Sequence, residues 1–246
     1  MDPEEYASIY RLEQTHWWYV GMRRIALTLL ETHLPSKHGL MVLDAGCGTG
    51  GMMLALERYG RVFGVDFSPL ALRFCQQRGL DRALQASVTD LPFPSAAFDL
   101  VTSFDVLYHL GVSDDTEALR EFYRVLRPGG LVLLRLPALE WLRSAHDHAV
   151  HTRHRYTAPE VKAKVAAAGF RVLRATYGNT LLFPIAAGAR LAQRLMGRGQ
   201  RAASDVQETA EMANRALSGV LALEARLLRR VDLPVGLSVI CLAQKH

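Results

Sequence analysis

The stretch VLDAGCGTGG, Val42 to Gly51, places an acidic residue and four glycines between an apolar run and a helical pattern. A bend without Cβ atoms lets a ligand lie directly against the backbone. Three nucleotide chemistries compete for such a bend. A phosphate cradle of the Walker kind needs a lysine and a Ser/Thr after the last glycine, where this chain has Gly51 and Met52. A dinucleotide loop needs G-x-G-x-x-G and a pyrophosphate at the helix start. Here the glycines fall at Gly46, Gly48 and Gly50, and Asp44 would repel the dianion. The third chemistry is a nucleoside that is cationic near the loop. Asp44 suits an ammonium or sulfonium, and Asp66, at the end of the next strand, suits a ribose diol through charge-assisted hydrogen bonds.

The elements that must position these residues alternate. LMVLDAG, RVFGVDF, ALQAS, FDLVTSFDVL, LVLLRLP and RVLRATYG read as strands. Between them GMMLALERYG, SPLALRFCQQRG, TEALREFYRVLRPGG and APEVKAKVAAAGF read as helices, with Ser68 and Thr157 as N-caps. That order predicts an α/β fold with a mostly parallel sheet and helices on both faces. Residues 180–205 and 206–230 depart from it as two helices around a Gly- and Arg-rich break, before a last strand in LPVGLSVICLAQ. No internal repeat is visible.

With five ordered blocks in view, VLDAGCGTG, GVDFS, ASVTDLPFPSAAFDLV, LREFYRVLRPGGLVLLRLP and AGFRV, the chain resembles the class I S-adenosylmethionine (SAM) methyltransferases. The likeness is to their small-molecule, type 11-like branch, and it is clearest from Val42 to Val172. It implies a Rossmann-like seven-stranded sheet with an antiparallel last strand, in a single domain spanning 1–246. Within it, 1–38 form an N-terminal helical cap, 39–178 the SAM-binding core, 179–230 a helical insertion or lid, and 231–246 the final strand. The implied cofactor is SAM, with S-adenosylhomocysteine (SAH) as product. Gly46, Gly48 and Gly50 would pass beneath its methionine and ribose parts, Asp44 would face the amino group, Asp66 the ribose and Phe67 the adenine. Ser87 stands where relatives commonly carry an aspartate, so it and the Val88 backbone N–H imply a weaker adenine contact. In YRLEQTHWWYVGMRRI, either Arg23 or Arg24 is the candidate for the SAM carboxylate, with Trp17 and Trp18 packing alongside.

Methyl transfer is an in-line displacement in which proximity and orientation dominate. The loop SFDVLYHLGVSDD should border the methyl group, with Phe104 and Asp105 beside it and His109 the nearest candidate base. A capping role suits His109 as well. Asp105 and His109 with Tyr108 between them make an incomplete metal set, and no metal is expected. HDHAVHTRHRYTAPE holds His146, His148, His151, His154, Arg155 and Tyr156; His151, Arg155 and Tyr156 are the acceptor-pocket candidates, His151 and Tyr156 also as catalytic groups.

The bulk composition sets limits. Of 246 residues, 50% are hydrophobic and 22% charged, and 29 Lys+Arg against 24 Asp+Glu give +5, too mild to signal nucleic acid. O-methylation of a small hydrophobic or anionic metabolite, such as a natural product, is the favoured reading; RNA or DNA methylation, whose base-modifying blocks are missing, and a non-catalytic SAM-binding module are the alternatives. Three scattered cysteines fit a reducing cytoplasm and the acidic N-terminus is no export signal. No run approaches the roughly 20 apolar residues of a bilayer span. Leu181, Leu182, Ile185, Ala189 and Leu195, interleaved with Arg190 and Arg194, suit a lid, an oligomer contact or a helix lying on a membrane, in a monomer or homodimer.

Overall fold

The apolar runs become the strands of one sheet. The computed structural model describes residues 3–34, 38–195 and 209–246. In chain order the elements are α1 (Pro3–Leu12), α2 (Trp17–Glu31), β1 (Leu40–Ala45), α3 (Gly51–Leu56), β2 (Gly60–Asp66), α4 (Pro69–Gln77), β3 (Ala83–Gln85) and β4 (Phe98–Phe104). They continue as α5 (Asp115–Val125), β5 (Leu126–Pro137), α6 (Ala145–Ala149), α7 (Ala158–Ala167), β6 (Phe170–Gly178), α8 (Phe183–Leu195), α9 (Glu211–Leu228) and β7 (Ser238–Lys245). The seven-stranded sheet runs β3-β2-β1-β4-β5-β7-β6. All neighbours are parallel except β7, which is antiparallel to β5 and β6. Strand order reverses between β1 and β4, the place where open α/β sheets bind ligands.

β1, β4 and β5 read as nearly unbroken apolar runs because helices cover both faces. On one face Phe98, Phe122, Val161 and Val165 join a core under α5 and α7. On the other Met22, Ile25, Leu29, Leu221 and Leu228 pack α2 and α9 onto the sheet. Thr157 and Glu160 close the start of α7 as a reciprocal capping box.

Several boundaries move from the sequence expectation. The helix expected to be closed by Pro128 and the glycines after it stops at Val125, and Leu126–Gly130 joins β5 instead. Pro128 disfavours helical backbone at Arg127, and Leu126 is already extended, with ψ 144°. The last strand begins at Ser238, after a loop that includes Pro234 and Gly236. The N-terminal stretch forms two helices, broken at 13–16, where His16 caps α2 by accepting from the Trp18 N–H. The Gly- and Arg-rich break at 196–208 lies outside the described residues, as do the side chains of Arg194 and Leu195. A Cβ on Gly21 would lie 2.2 Å from Leu221, so α9 sits directly against α2.

Candidate functional site

A cavity of about 1030 Å³ opens at the carboxyl ends of β1, β2, β4 and β5, with α1, α2 and α8 along its walls. The glycine bend forms part of its floor. Gly46 and Cys47 both donate backbone N–H groups to the Val65 carbonyl, at 2.8 and 2.9 Å. Gly46 has φ +85°, and a Cβ there would lie 2.1 Å from Val106. Gly48 lines the cavity and donates its N–H to Asp66 Oδ2 at 2.9 Å. Gly50 does not line it. A Cβ on Gly50 would lie 2.5 Å from Leu80, so this glycine seats the loop against the end of α4.

Two carboxylates bracket the bend. Asp44 is 2% exposed, and one oxygen accepts the Thr102 hydroxyl at 2.7 Å. Burial pushes it up to about 7; Glu13 and Asp66 add to the rise, while the Thr102 bond and Arg135 oppose it. Asp66 accepts the Ser68 N–H through Oδ1 at 2.9 Å as well as the Gly48 N–H. Burial raises it too, against those two bonds. Ser68 occupies the N-cap position of α4, but its hydroxyl makes no capping bond. The backbone bonds of Asp66 hold that turn instead.

Beyond the bend, Phe67 is 76% exposed, and it lines the cavity with Ser87 and Val88. The Ser87 hydroxyl pairs with the Thr89 hydroxyl at 2.7 Å and accepts the Thr89 N–H at 3.2 Å. From α2, Trp17, Trp18 and Arg23 reach the wall, whereas Arg24 is exposed and outside it. Arg23 Nη1 donates to the Glu13 carbonyl at 3.3 Å.

Two residues of the site were not singled out from sequence. Glu13 is buried behind the bend, where it accepts the Thr49 hydroxyl and Arg78 Nη2, the latter at 2.6 Å. A Cβ on Gly51 would strike its carboxylate, so the second glycine of the GG pair admits it. Arg135, near the end of β5, holds Asp105 through Nε at 2.9 Å and lies over the rings of Trp18 and Phe104, 5.0 and 5.2 Å from their centroids. Asp105 has φ +59°, in the left-handed region that non-glycine residues seldom adopt. The signal for both was charge within otherwise apolar or helical stretches.

The histidine segments meet differently from expectation. His109 lines the cavity, and its Nδ1 accepts the Gly111 N–H at 2.9 Å. Burial above all lowers it to about 4, with His151 a lesser cause. A neutral ring accepting at Nδ1 carries its proton on Nε2 and so offers a donor there, not a base. His151 does not line the cavity; its ring lies 5.5 Å from that of His109. Tyr156 is 1% exposed and faces the core, its hydroxyl donating to Asp115 Oδ2 at 2.8 Å. Its backbone is tied to Pro137 and Leu139, which turns the ring away from the cavity. Arg155 alone of these three candidates reaches the wall, and there it donates to Asp147 Oδ1 at 2.8 Å and to the Ala138 carbonyl at 2.9 Å. His154 pairs with Glu160 at 2.9 Å, and the side chain of His146 lies outside the described residues. Among the described residues no three His, Cys, Asp or Glu side chains gather as a metal site.

A glycine bend between a buried and a half-buried carboxylate, at the switch point of a sheet whose last strand is reversed, defines a nucleoside-binding α/β enzyme. Residues 43–134 match the family described as a methyltransferase domain. The chain is 35% identical over 184 residues to demethylmenaquinone methyltransferase of Thermus thermophilus, covering 61% of this chain and 81% of that protein. It is 35% identical over 155 residues to malonyl-[acyl-carrier protein] O-methyltransferase of Serratia marcescens, covering 61% of this chain and 60% of that protein. A methyltransferase of Haloferax volcanii, solved with the Trm112 methyltransferase activator, shares the fold: its TM-score is 0.60 at 19% identity, over 99% of this chain and 95% of that one. The chain belongs to the SAM-dependent methyltransferases.

Proposed function

We propose that the protein transfers a methyl group from SAM to a small, mainly apolar metabolite, with oxygen the favoured atom. The observation that carries this reading is Asp44, a buried carboxylate pushed up to about 7 at the cavity floor, which a cation beside it would relieve. The neighbouring groups fit the rest of SAM. Asp66 keeps lone pairs for a ribose diol beyond its two backbone bonds, and Phe67 offers an open aromatic face to adenine. Ser87 and Val88 border that end, Gly46 and Gly48 keep the floor thin, and Arg23, which lines the cavity as Arg24 does not, is the candidate for the carboxylate. Phe104 and Asp105 border the methionine end.

When bound, SAM supplies an electrophilic methyl on a positively charged sulfur. The chain's own residues then contribute orientation and exclusion of water. Arg135, clamped by Asp105 between two aromatic rings, fixes the wall between the cofactor end and the acceptor end. His109, with its proton on Nε2, acts as a hydrogen-bond donor at the rim, and neither His151 nor Tyr156 touches the acceptor. Acceptor deprotonation is left to solvent or to the acceptor's own acidity. Arg135 and Arg155 already hold Asp105 and Asp147, so Leu142, Val150, Ala186 and Ala189 set an apolar character for the acceptor side. Incubation with labelled SAM and separate pools of small-molecule extract and total RNA tests the reading. Label is expected in the small-molecule pool, and label confined to RNA overturns it.

A further inference from the structure

Asn179, between β6 and α8, combines features that packing does not require. It is 1% exposed, and its Oδ1 is one of two buried side-chain atoms without a hydrogen-bond partner among the described residues, the other being Glu224 Oε1. Its backbone lies in the left-handed region, at φ +58°. It also lines the cavity. A buried carbonyl oxygen without a donor is unfavourable, and glycine would take this backbone conformation with less strain.

The turn is held from outside the cavity. Glu224 of α9 accepts the Thr180 and Leu181 N–H groups at 2.8 and 2.9 Å, and the Gly178 carbonyl accepts the Leu237 N–H at 3.0 Å. The backbone around Asn179 is therefore fixed on both sides. Ser238, paired with Gly178 across β6 and β7, lines the cavity beside it. The glycine bend lies well away along the sheet. β6 lies four strand positions from β1 in the sheet, roughly 19 Å at ordinary strand spacing, whereas the bend and its carboxylates sit at the ends of β1 and β2.

We propose that Asn179 Oδ1 receives a hydrogen bond from the acceptor, so that the accepted molecules are apolar compounds carrying a hydroxyl or N–H donor. The proposal rests on the methyltransferase reading above and narrows its substrate class. The oxygen takes a donor hydrogen, which a hydroxyl or N–H supplies and a bare carboxylate or phosphate oxygen does not. Asn179 is a positioning residue for the acceptor and does not take the proton.

The test uses SAH-loaded protein and the probes 4-ethylphenol and 4-ethylanisole, which differ in whether the donor hydrogen is capped by a methyl. By ligand-observed NMR titration the wild-type protein is expected to bind the phenol about tenfold more tightly, and Asn179→Gly to bind both alike. Asn179→Gly is also expected to melt at or above the wild-type temperature, since glycine relieves the φ and removes the lone oxygen. Its SAH affinity by calorimetry is expected to be unchanged. Equal binding of the probes by wild type, binding of neither, or a preference that survives in Asn179→Gly overturns the proposal. A lowered melting temperature for Asn179→Gly also overturns it, by making the residue structural. Failure of SAH to bind the wild-type protein strikes the methyltransferase reading itself, which separates the two failures.

Discussion

Because burial lifts Asp44 to about 7, the free protein holds it largely protonated below neutrality. A cation prefers the ionised form, so binding SAM below pH 7 must expel that proton. Calorimetry is expected to show SAM affinity falling as pH drops from 8 to 6, by about tenfold for each unit well below the shifted value. Asp44→Asn flattens this dependence and weakens binding at pH 8. Stability of the free protein runs the other way. A carboxyl raised from the ordinary 3.8 favours the folded state most below about 4, and that contribution fades as pH rises toward 7. Ser87 carries a smaller expectation. Its hydroxyl is already engaged by Thr89, so Ser87→Ala is expected to raise the SAM dissociation constant only about two- to fivefold. A hundredfold loss on titration would show that Ser87 holds the adenine directly. Asp44 and Asp66 were legible in the sequence because carboxylates at strand ends beside a glycine bend have few other uses. Arg135 was hidden in LVLLRLP, since neither its clamp by Asp105 nor its rings can be seen without the pairing of β4 with β5. Tyr156 misled for the opposite reason: RHRYT reads as a polar loop, yet its backbone bonds to Pro137 and Leu139 send that ring inward.

At the scale of elements, the contact between α2 and α9 carries a stability prediction. Leu221 is fully buried, and it lies so close to Gly21 that a methyl group there has no room. Leu221→Ala is expected to cost about 2–5 kcal/mol, read as a lowered melting temperature. Gly21→Ala is expected to cost about 1–3 kcal/mol by overpacking. A variant at either position that melts like wild type would refute the packing described. The alternation of strands and helices was legible because both patterns repeat with distinct periods. The ends were harder to read. Leu126 continues the apolar spacing of Phe122 and Val125 in α5, and only the constraint that Pro128 places on Arg127 hands Leu126–Gly130 to β5. The packing of α9 on α2 was not legible, because the two meet across about 200 residues of sequence, a pairing that no local pattern encodes.

For the whole molecule, binding and stability are linked. SAH at a hundred times its dissociation constant is expected to add about 2.7 kcal/mol to stability, seen as a raised melting temperature. Trp17 and Trp18 line the cavity, so the same titration is expected to change the intrinsic fluorescence. A melting curve indifferent to SAH would remove the cofactor assignment. The walls of the cavity also divide cleanly along the sequence. Lining residues up to Val112 come from α1, α2 and the ends of β1 to β4 with the loops after them; Arg135 and Pro137 at the end of β5 stand at the divide, and those from Leu142 onward come from the segment after β5, from Asn179 with α8, and from the start of β7. The reversed last strand brings these late segments together, and they share no residue with the cofactor loops. Inheritance can therefore exchange the later set, retuning which molecule is modified, while leaving the methyl donor's berth untouched.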